Sequence, residues 1–284
     1  MAEPHQPVPH TRASVVREGA WEIRELLDLV ECAILIDRAK TVGMKDLAQA
    51  YGGSLRDCLR AELDDPRLAA RVFARLQPII PREVVVGNGT VPFGIKKSAE
   101  LEGTWRPVGC NPHWRIACYP GRGHFGPHRD GDFVETPDRR SLLTVNGYLN
   151  PLPRGQGGAT RFLKDDTPMY QDELGRHIAP PGAVEYSVHP DEAGMATVFF
   201  HDLLHDGEEL VEGCPHKWIF RTDVIFERLP GTGSQREFSD QQQRARQMLA
   251  EAERLEAEDP QRAMQLYRGA FKLDTALEDS TRAS

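Results

Sequence analysis

Between Trp114 and Phe226 the chain carries a succession of short runs of β-branched and aromatic residues, separated by Gly, Pro and Asp. Trp114, Ile116 and Cys118 alternate with Arg115, Ala117 and Tyr119, the period of two that sends successive side chains to opposite faces of a strand. Pro120, Gly121 and Gly123 then turn the chain. Further runs stand at Ser141–Leu149, Gly157–Leu163, Ala196–Phe200 and Lys217–Phe226. Runs of this length and composition bury their apolar faces by packing sheet on sheet, so residues 114–227 read as an all-β sandwich or barrel.

Inside that region lies His128-Arg129-Asp130. In extended backbone residues i and i+2 point to one side, so His128 and Asp130 can offer an imidazole nitrogen and a carboxylate oxygen to a single metal. A distant histidine completes the set, and His201, His205 and His216 compete for the place. Two imidazoles and a carboxylate on one face of an octahedron suit Fe(II), leaving positions open for a bidentate co-substrate and O2. A His-x-Asp pair alone is common at turns and surfaces; the strands around it give it weight.

Cys118-Tyr-Pro-Gly-x-Gly with His128-x-Asp130, Tyr148-Leu-Asn150, Gly157-Gly-x-Thr-x-Phe162, and His205-x-Gly followed by Gly213 and Lys217-Trp218 occur in one order along about half the chain. In these motifs the chain resembles the 2-oxoglutarate- and Fe(II)-dependent dioxygenases, and within them the prolyl 4-hydroxylase-like branch. The resemblance implies a mainly β fold with helical additions: a double-stranded β-helix, or jelly roll, whose open mouth holds iron. It implies His205 as the third ligand beside His128 and Asp130, and Lys217 as the cation that anchors the far carboxylate of 2-oxoglutarate. His216 is adjacent to Lys217 on the same run and so faces away from the cavity. The interval from His205 to Lys217 is longer than the resemblance implies, and Cys214-Pro215-His216 reads as a local insertion. Arg221, of the same parity as Lys217, is the alternative anchor. Tyr148 matches a family tyrosine that donates its hydroxyl to the same carboxylate. Asn146 shares the face of Tyr148, and Tyr119 and Arg115 share a face of the preceding strand, so all three are expected to line the pocket. Arg122, Phe125 and Arg129 lie about the mouth as candidate substrate contacts. The implied reaction is hydroxylation of an unactivated C–H with Fe(II), 2-oxoglutarate and O2, ascorbate serving as reductant, and an intact Asp130 argues against halogenation. The branch favours a prolyl or other peptidyl substrate; a free amino acid or natural-product intermediate, or a jelly roll that binds or senses without turnover, are the alternatives.

The balance of 35 basic against 43 acidic residues, with no Lys/Arg run, disfavours nucleic acid as partner. The sequence lacks a run of apolar residues long enough for a membrane helix and has no signal-peptide pattern at Met1, and its five scattered cysteines form no CxxC, so a cytoplasmic, reduced protein is expected. Residues 1–14 read as a disordered leader and 15–228 as the oxygenase domain. The helical part of that domain is expected over 15–78, from helical spacing at Leu26–Val42 and again from Met44 to Leu76, with breaks at Gly52-Gly53 and Asp65-Pro66. Residues 229–284 read as a linker and a C-terminal helical hairpin, Asp240–Leu255 and Pro260–Leu277, either packed on the core or mediating self-association.

Overall fold

The structure, a computed structural model, describes residues 11–47, 55–87, 91–95, 99–180, 182–233, 238–256, 258–274 and 277. In chain order it forms β1 (Arg12–Arg17), β2 (Ala20–Arg24), α1 (Leu29–Val42), β3 (Lys45–Asp46), β4 (Leu59–Asp64), α2 (Pro66–Leu76), β5 (Val84–Val86), β6 (Gly103–Cys110) and β7 (His113–Tyr119). There follow β8 (Phe125–His128), β9 (Val134–Thr136), β10 (Arg139–Tyr148), β11 (Thr160–Leu163), β12 (Tyr170–Gln171), β13 (His177–Ile178), β14 (Val184–Val188), β15 (Ala196–Phe200), β16 (His205–Gly207) and β17 (Lys217–Arg228). Two helices, α3 (Asp240–Leu255) and α4 (Pro260–Leu273), end the described chain. No described helix is long and apolar enough to cross a membrane.

The major sheet runs β1-β2-β15-β10-β17-β7-β4-β3, with β6 and β9 pairing off this path, and a minor sheet runs β14-β11-β16-β8. The two faces of the jelly roll follow from the alternation in β7. Trp114 and Ile116 join Leu143, Val145 and Phe220 on the outer face, where Leu35 and Ala39 of α1 and Val72 and Leu76 of α2 cover them. Ala117 and Tyr119 face the minor sheet, among Phe162, Phe199 and Ile219.

Both covering helices are fixed at their N-termini. Asp28 and Glu31 form a reciprocal capping box on α1, and Arg75 of α2 reaches Glu31 at 2.7 Å. Asp65 caps α2, with Pro66 in its first turn and Arg38 of α1 at 2.5 Å. Where β10 crosses β17, Gly147 lies under the Phe220 ring, and a Cβ there would stand 2.1 Å from it. Gly147→Ala is therefore expected to destabilise the fold by about 1–3 kcal/mol or more, read as a lowered denaturation midpoint at unchanged slope.

Two expectations fail over the N-terminal third. The leader read over residues 1–14 ends early: residues 1–10 lie outside the described chain, but β1 already starts at Arg12 and pairs with β2 through a tight turn in which Gly19 has φ +78°. The helical reading of Met44 to Leu76 holds only from Pro66, because Leu59–Asp64 is a strand in register with β7. Ala61 and Leu63 are buried at a spacing of two, which over six residues is indistinguishable from the edge of a helical repeat. The break at Gly52-Gly53 lies outside the described residues.

Candidate metal centre

His128 ends β8 and His205 begins β16, and these two residues are register partners across the minor sheet. Asp130 follows β8, held by its backbone N–H to the carbonyl of His201 at 2.9 Å. One donor atom from each of the three lies within 4.8 Å of the others, and all three are buried. Each imidazole donates Nδ1–H to a backbone carbonyl two residues back, His128 to Gly126 and His205 to Leu203, both at 2.8 Å. That leaves each Nε2 as the free nitrogen. The two Nε2 atoms face Asp130 at 3.7 and 3.8 Å. Burial, and then the neighbouring His205, hold the His128 imidazole well below its usual pKa, so it is neutral and able to bind a cation. Burial pushes the Asp130 carboxyl up, but Arg221, the two imidazoles and the Thr144 hydroxyl outweigh it and hold the group below the usual carboxylate range.

Behind Asp130 runs a chain of hydrogen bonds in which every donor is used once. The Phe133 N–H donates to Ser141 Oγ at 2.8 Å, Ser141 Oγ–H to His201 Nε2 at 2.8 Å, His201 Nδ1–H to Thr144 Oγ1 at 2.9 Å, and Thr144 Oγ1–H to Asp130 Oδ2 at 2.6 Å. This assignment of the His201 tautomer satisfies all four contacts. His201 thus stands two hydrogen bonds behind the carboxylate, and His216 is exposed on the opposite side of the strand from buried Lys217. Thr144→Val breaks the chain at its last link and is expected to weaken divalent-metal affinity by about 10- to 100-fold, measured by anoxic Mn(II) titration.

The inner face of the major sheet places the other candidates in cross-strand rows. Asn146, Arg221, Arg115 and Glu62 form one row, Ile219, Ala117 and Arg60 the next with Tyr148, and Lys217 with Tyr119 the last. Arg115, Tyr119, Asn146, Lys217, Arg221 and Phe125 line a single cavity of about 610 Å3 with the three metal-site residues. Arg221 meets Asp130 Oδ1 at 2.9 Å and so belongs to the metal end. Lys217 Nζ lies far along the strand between the rings of Tyr119 and Tyr148, 5.5 and 5.6 Å from their centres. Burial lowers its pKa to about 8 against the opposing pull of Glu208 and Asp206.

Three expected contacts are placed otherwise. Tyr148 is fully buried, and its hydroxyl donates to Thr160 Oγ1 at 2.7 Å, so the group lining the cavity at this point is Thr160. Arg129 lies between His128 and Asp130 and by strand parity points away, to Asp165 at 2.6 Å. Arg122 is exposed and paired with Glu209 at 3.0 Å. Phe125 stacks on the His128 ring, centres 3.6 Å apart. Arg56 and Arg60, in the segment misread as helical, also line the cavity; the lone signal for them was the alternation of Ala61 and Leu63, which turns Arg60 inward.

The family model of the 2OG-Fe(II) oxygenase superfamily matches residues 114–222, the stretch that carries all three candidate metal-site residues with Asn146, Lys217 and Arg221. Residues 114–222 are thus a 2OG-Fe(II) oxygenase domain. No curated protein matches it. Among solved structures, the oxygenase is similar to a viral collagen prolyl hydroxylase from Paramecium Bursaria Chlorella virus-1 in complex with 2OG (18% identity, 74% of this chain and 97% of that one, TM-score 0.40). It is also similar to a prolyl-4-hydroxylase from Pseudomonas putida (17%, 75% and 94%, TM-score 0.42) and to HygX from Streptomyces hygroscopicus with nickel and 2-oxoglutarate bound (12%, 77% and 86%, TM-score 0.44). The oxygenase is a 2-oxoglutarate-dependent dioxygenase with Fe(II) as its metal, and two imidazoles with one carboxylate fit that ion.

Proposed function

We propose that the oxygenase binds Fe(II) through His128, Asp130 and His205 and hydroxylates an unactivated C–H of a small molecule: R–H, 2-oxoglutarate and O2 give R–OH, succinate and CO2. The iron with its co-substrate supplies the oxidative chemistry when bound. The chain's own residues position the reactants. Lys217 takes the far carboxylate of 2-oxoglutarate, with Thr160 and Tyr119 beside it, and a buried carboxylate needs such a partner. Asn146 and Arg221 border the co-substrate and metal, and Thr144 with His201 orients Asp130.

The observation that carries the small-molecule reading is the C-terminal hairpin. Leu249, Glu253 and Glu256 of α3 and Tyr267 and Phe271 of α4 line the same cavity as the metal-site residues. Helices along the cavity leave less room for an extended peptide, and this partial roof favours a small molecule over the peptidyl preference drawn from the sequence. The purified protein with Fe(II), ascorbate, 2-oxoglutarate and O2 is expected to form succinate slowly alone and faster with members of a small-metabolite panel, giving products one oxygen heavier. Stimulation by proline-containing peptides and by no small molecule overturns the roofed-cavity reading, and the absence of any decarboxylation favours binding without turnover.

A further inference from the structure

Building on that reading, we propose that the substrate is a small carboxylic acid with an apolar body, that Arg115 binds its carboxylate, and that Glu253 of the hairpin is the internal carboxylate it displaces. The argument begins with the cations of the cavity. Arg221 is engaged by Asp130 at 2.9 Å, Arg60 by Glu62 at 3.0 Å and by Glu256, and Arg246 by Asp274 at 2.8 Å. Lys217 serves the co-substrate, Arg56 lies over the Phe125 ring at 4.4 Å with its Nε on Cys58, and Arg254, exposed at the rim, donates its Nε–H to the Ala250 carbonyl at 3.3 Å. Arg115 differs from these. Its one ion pair among the described residues is to Glu253 at 3.7 Å, beyond hydrogen-bonding reach.

Arg115 is also the register partner of Arg221. Like charges directly opposite on neighbouring strands repel; Glu62, the register partner of Arg115 on its other side, and Asp223, 3.6 Å from Arg221, offset part of this, and a ligand anion beside the pair adds to that relief. Because Arg221 touches Asp130, a carboxylate on Arg115 holds the rest of its molecule one strand away from the metal ligands. The surfaces available to that remainder are apolar: Leu249, Phe271 and Leu277 of the hairpin region and Phe133 line the cavity.

The hairpin is anchored on the barrel by the buried Arg60–Glu256 pair, and its Glu253 contact is free to exchange. Its apolar side chains, Ala245, Met248, Leu249, Ala270, Phe271 and Leu277, pack into a cluster of their own, separate from the two barrel cores. Across the seam stand ion pairs, Arg60–Glu256, Arg115–Glu253 and Lys45–Glu258. The last two join partly exposed side chains, and such pairs contribute little to stability, so exchange of Glu253 for a ligand carboxylate is cheap.

The test uses the full-length protein with Mn(II) and saturating 2-oxoglutarate under anoxia, so that the co-substrate position is filled and nothing turns over. Phenylacetate, 3-phenylpropionate and indole-3-acetate are titrated by calorimetry against their amides. The acids are expected to bind about ten-fold or more tighter than the amides. Arg115→Met is expected to erase that preference, while Glu253→Gln, which removes the internal competitor, raises acid affinity several-fold. The opposite signs separate ligand exchange from a structural role, in which both substitutions would weaken binding alike. Equal binding of acids and amides, no binding of any acid, or weaker acid binding in Glu253→Gln overturns the proposal. Substrate-free succinate formation with Fe(II) and O2, measured in parallel on the unaltered protein, reports on the oxygenase reading separately.

Discussion

Substituting alanine for His128, Asp130 or His205 is expected to remove metal binding and 2-oxoglutarate turnover together. In the proposed site three donors hold the ion, and neither of the other two candidate histidines can stand in: His201 uses both ring nitrogens on Ser141 and Thr144, and His216 is exposed outside the cavity. Asp130→Ala should be the most severe of the three. It deletes the one anionic ligand and leaves Arg221, now without its 2.9 Å partner, beside the position of a divalent cation. Asp130→Asn keeps the shape and separates lost charge from lost volume. Anoxic Fe(II) titration and succinate formation measure both consequences. Normal turnover in His205→Ala, with loss in His201→Ala, would show the ligand assignment to be wrong.

Lys217→Ala is the second large effect. Removing one partner of a buried charge pair typically costs about 3–5 kcal/mol, or roughly two to three decades of 2-oxoglutarate affinity. The same residue predicts a pH dependence. Its pKa is lowered to about 8 by burial, partly opposed by Glu208 and Asp206, with the Tyr119 and Tyr148 rings on either side. A lysine is charged below its pKa, so 2-oxoglutarate affinity should hold below about pH 8 and fall as pH rises through it. Lys217→Arg keeps its charge throughout and should move that fall to higher pH. Unchanged co-substrate affinity in Lys217→Ala, with a loss in Arg221→Ala, would transfer the anchor to Arg221.

What could be read in the sequence was whatever depends on period two. The alternation in β7 separated Trp114 and Ile116 from Arg115 and Tyr119, and the structure puts the first pair under the helices and the second in the cavity. The same rule placed His128 with Asp130 and turned His216 away from Lys217, and applied to Arg129 it would have removed that residue from the mouth. Hydrogen-bond destinations were not legible. Nothing in Tyr148-Leu-Asn150 says that the hydroxyl reaches Thr160, and nothing local couples Ser141, His201, Thr144 and Asp130, which come from three separate segments. Nor could the periodicity of α3 and α4 tell which surface they cover, because a helix pattern records an apolar stripe without naming its partner.

The register pairing of His205 with His128 has a consequence for how the molecule folds. β8 and β16 have four and three residues, so their ladder contributes few hydrogen bonds, yet it joins segments separated by most of the β region. Closing so long a loop for so short a ladder is entropically unfavourable. An ion held as proposed by both rings and Asp130 would cross-link the two strands and bind only the native chain, which at a hundred times its dissociation constant stabilises by about 2.7 kcal/mol. The minor sheet should therefore be the last part of the chain to lock and the first to open when a chelator is added. Its amides should exchange with solvent well before those of β10 and β17, making the metal a folding clamp as well as a reagent.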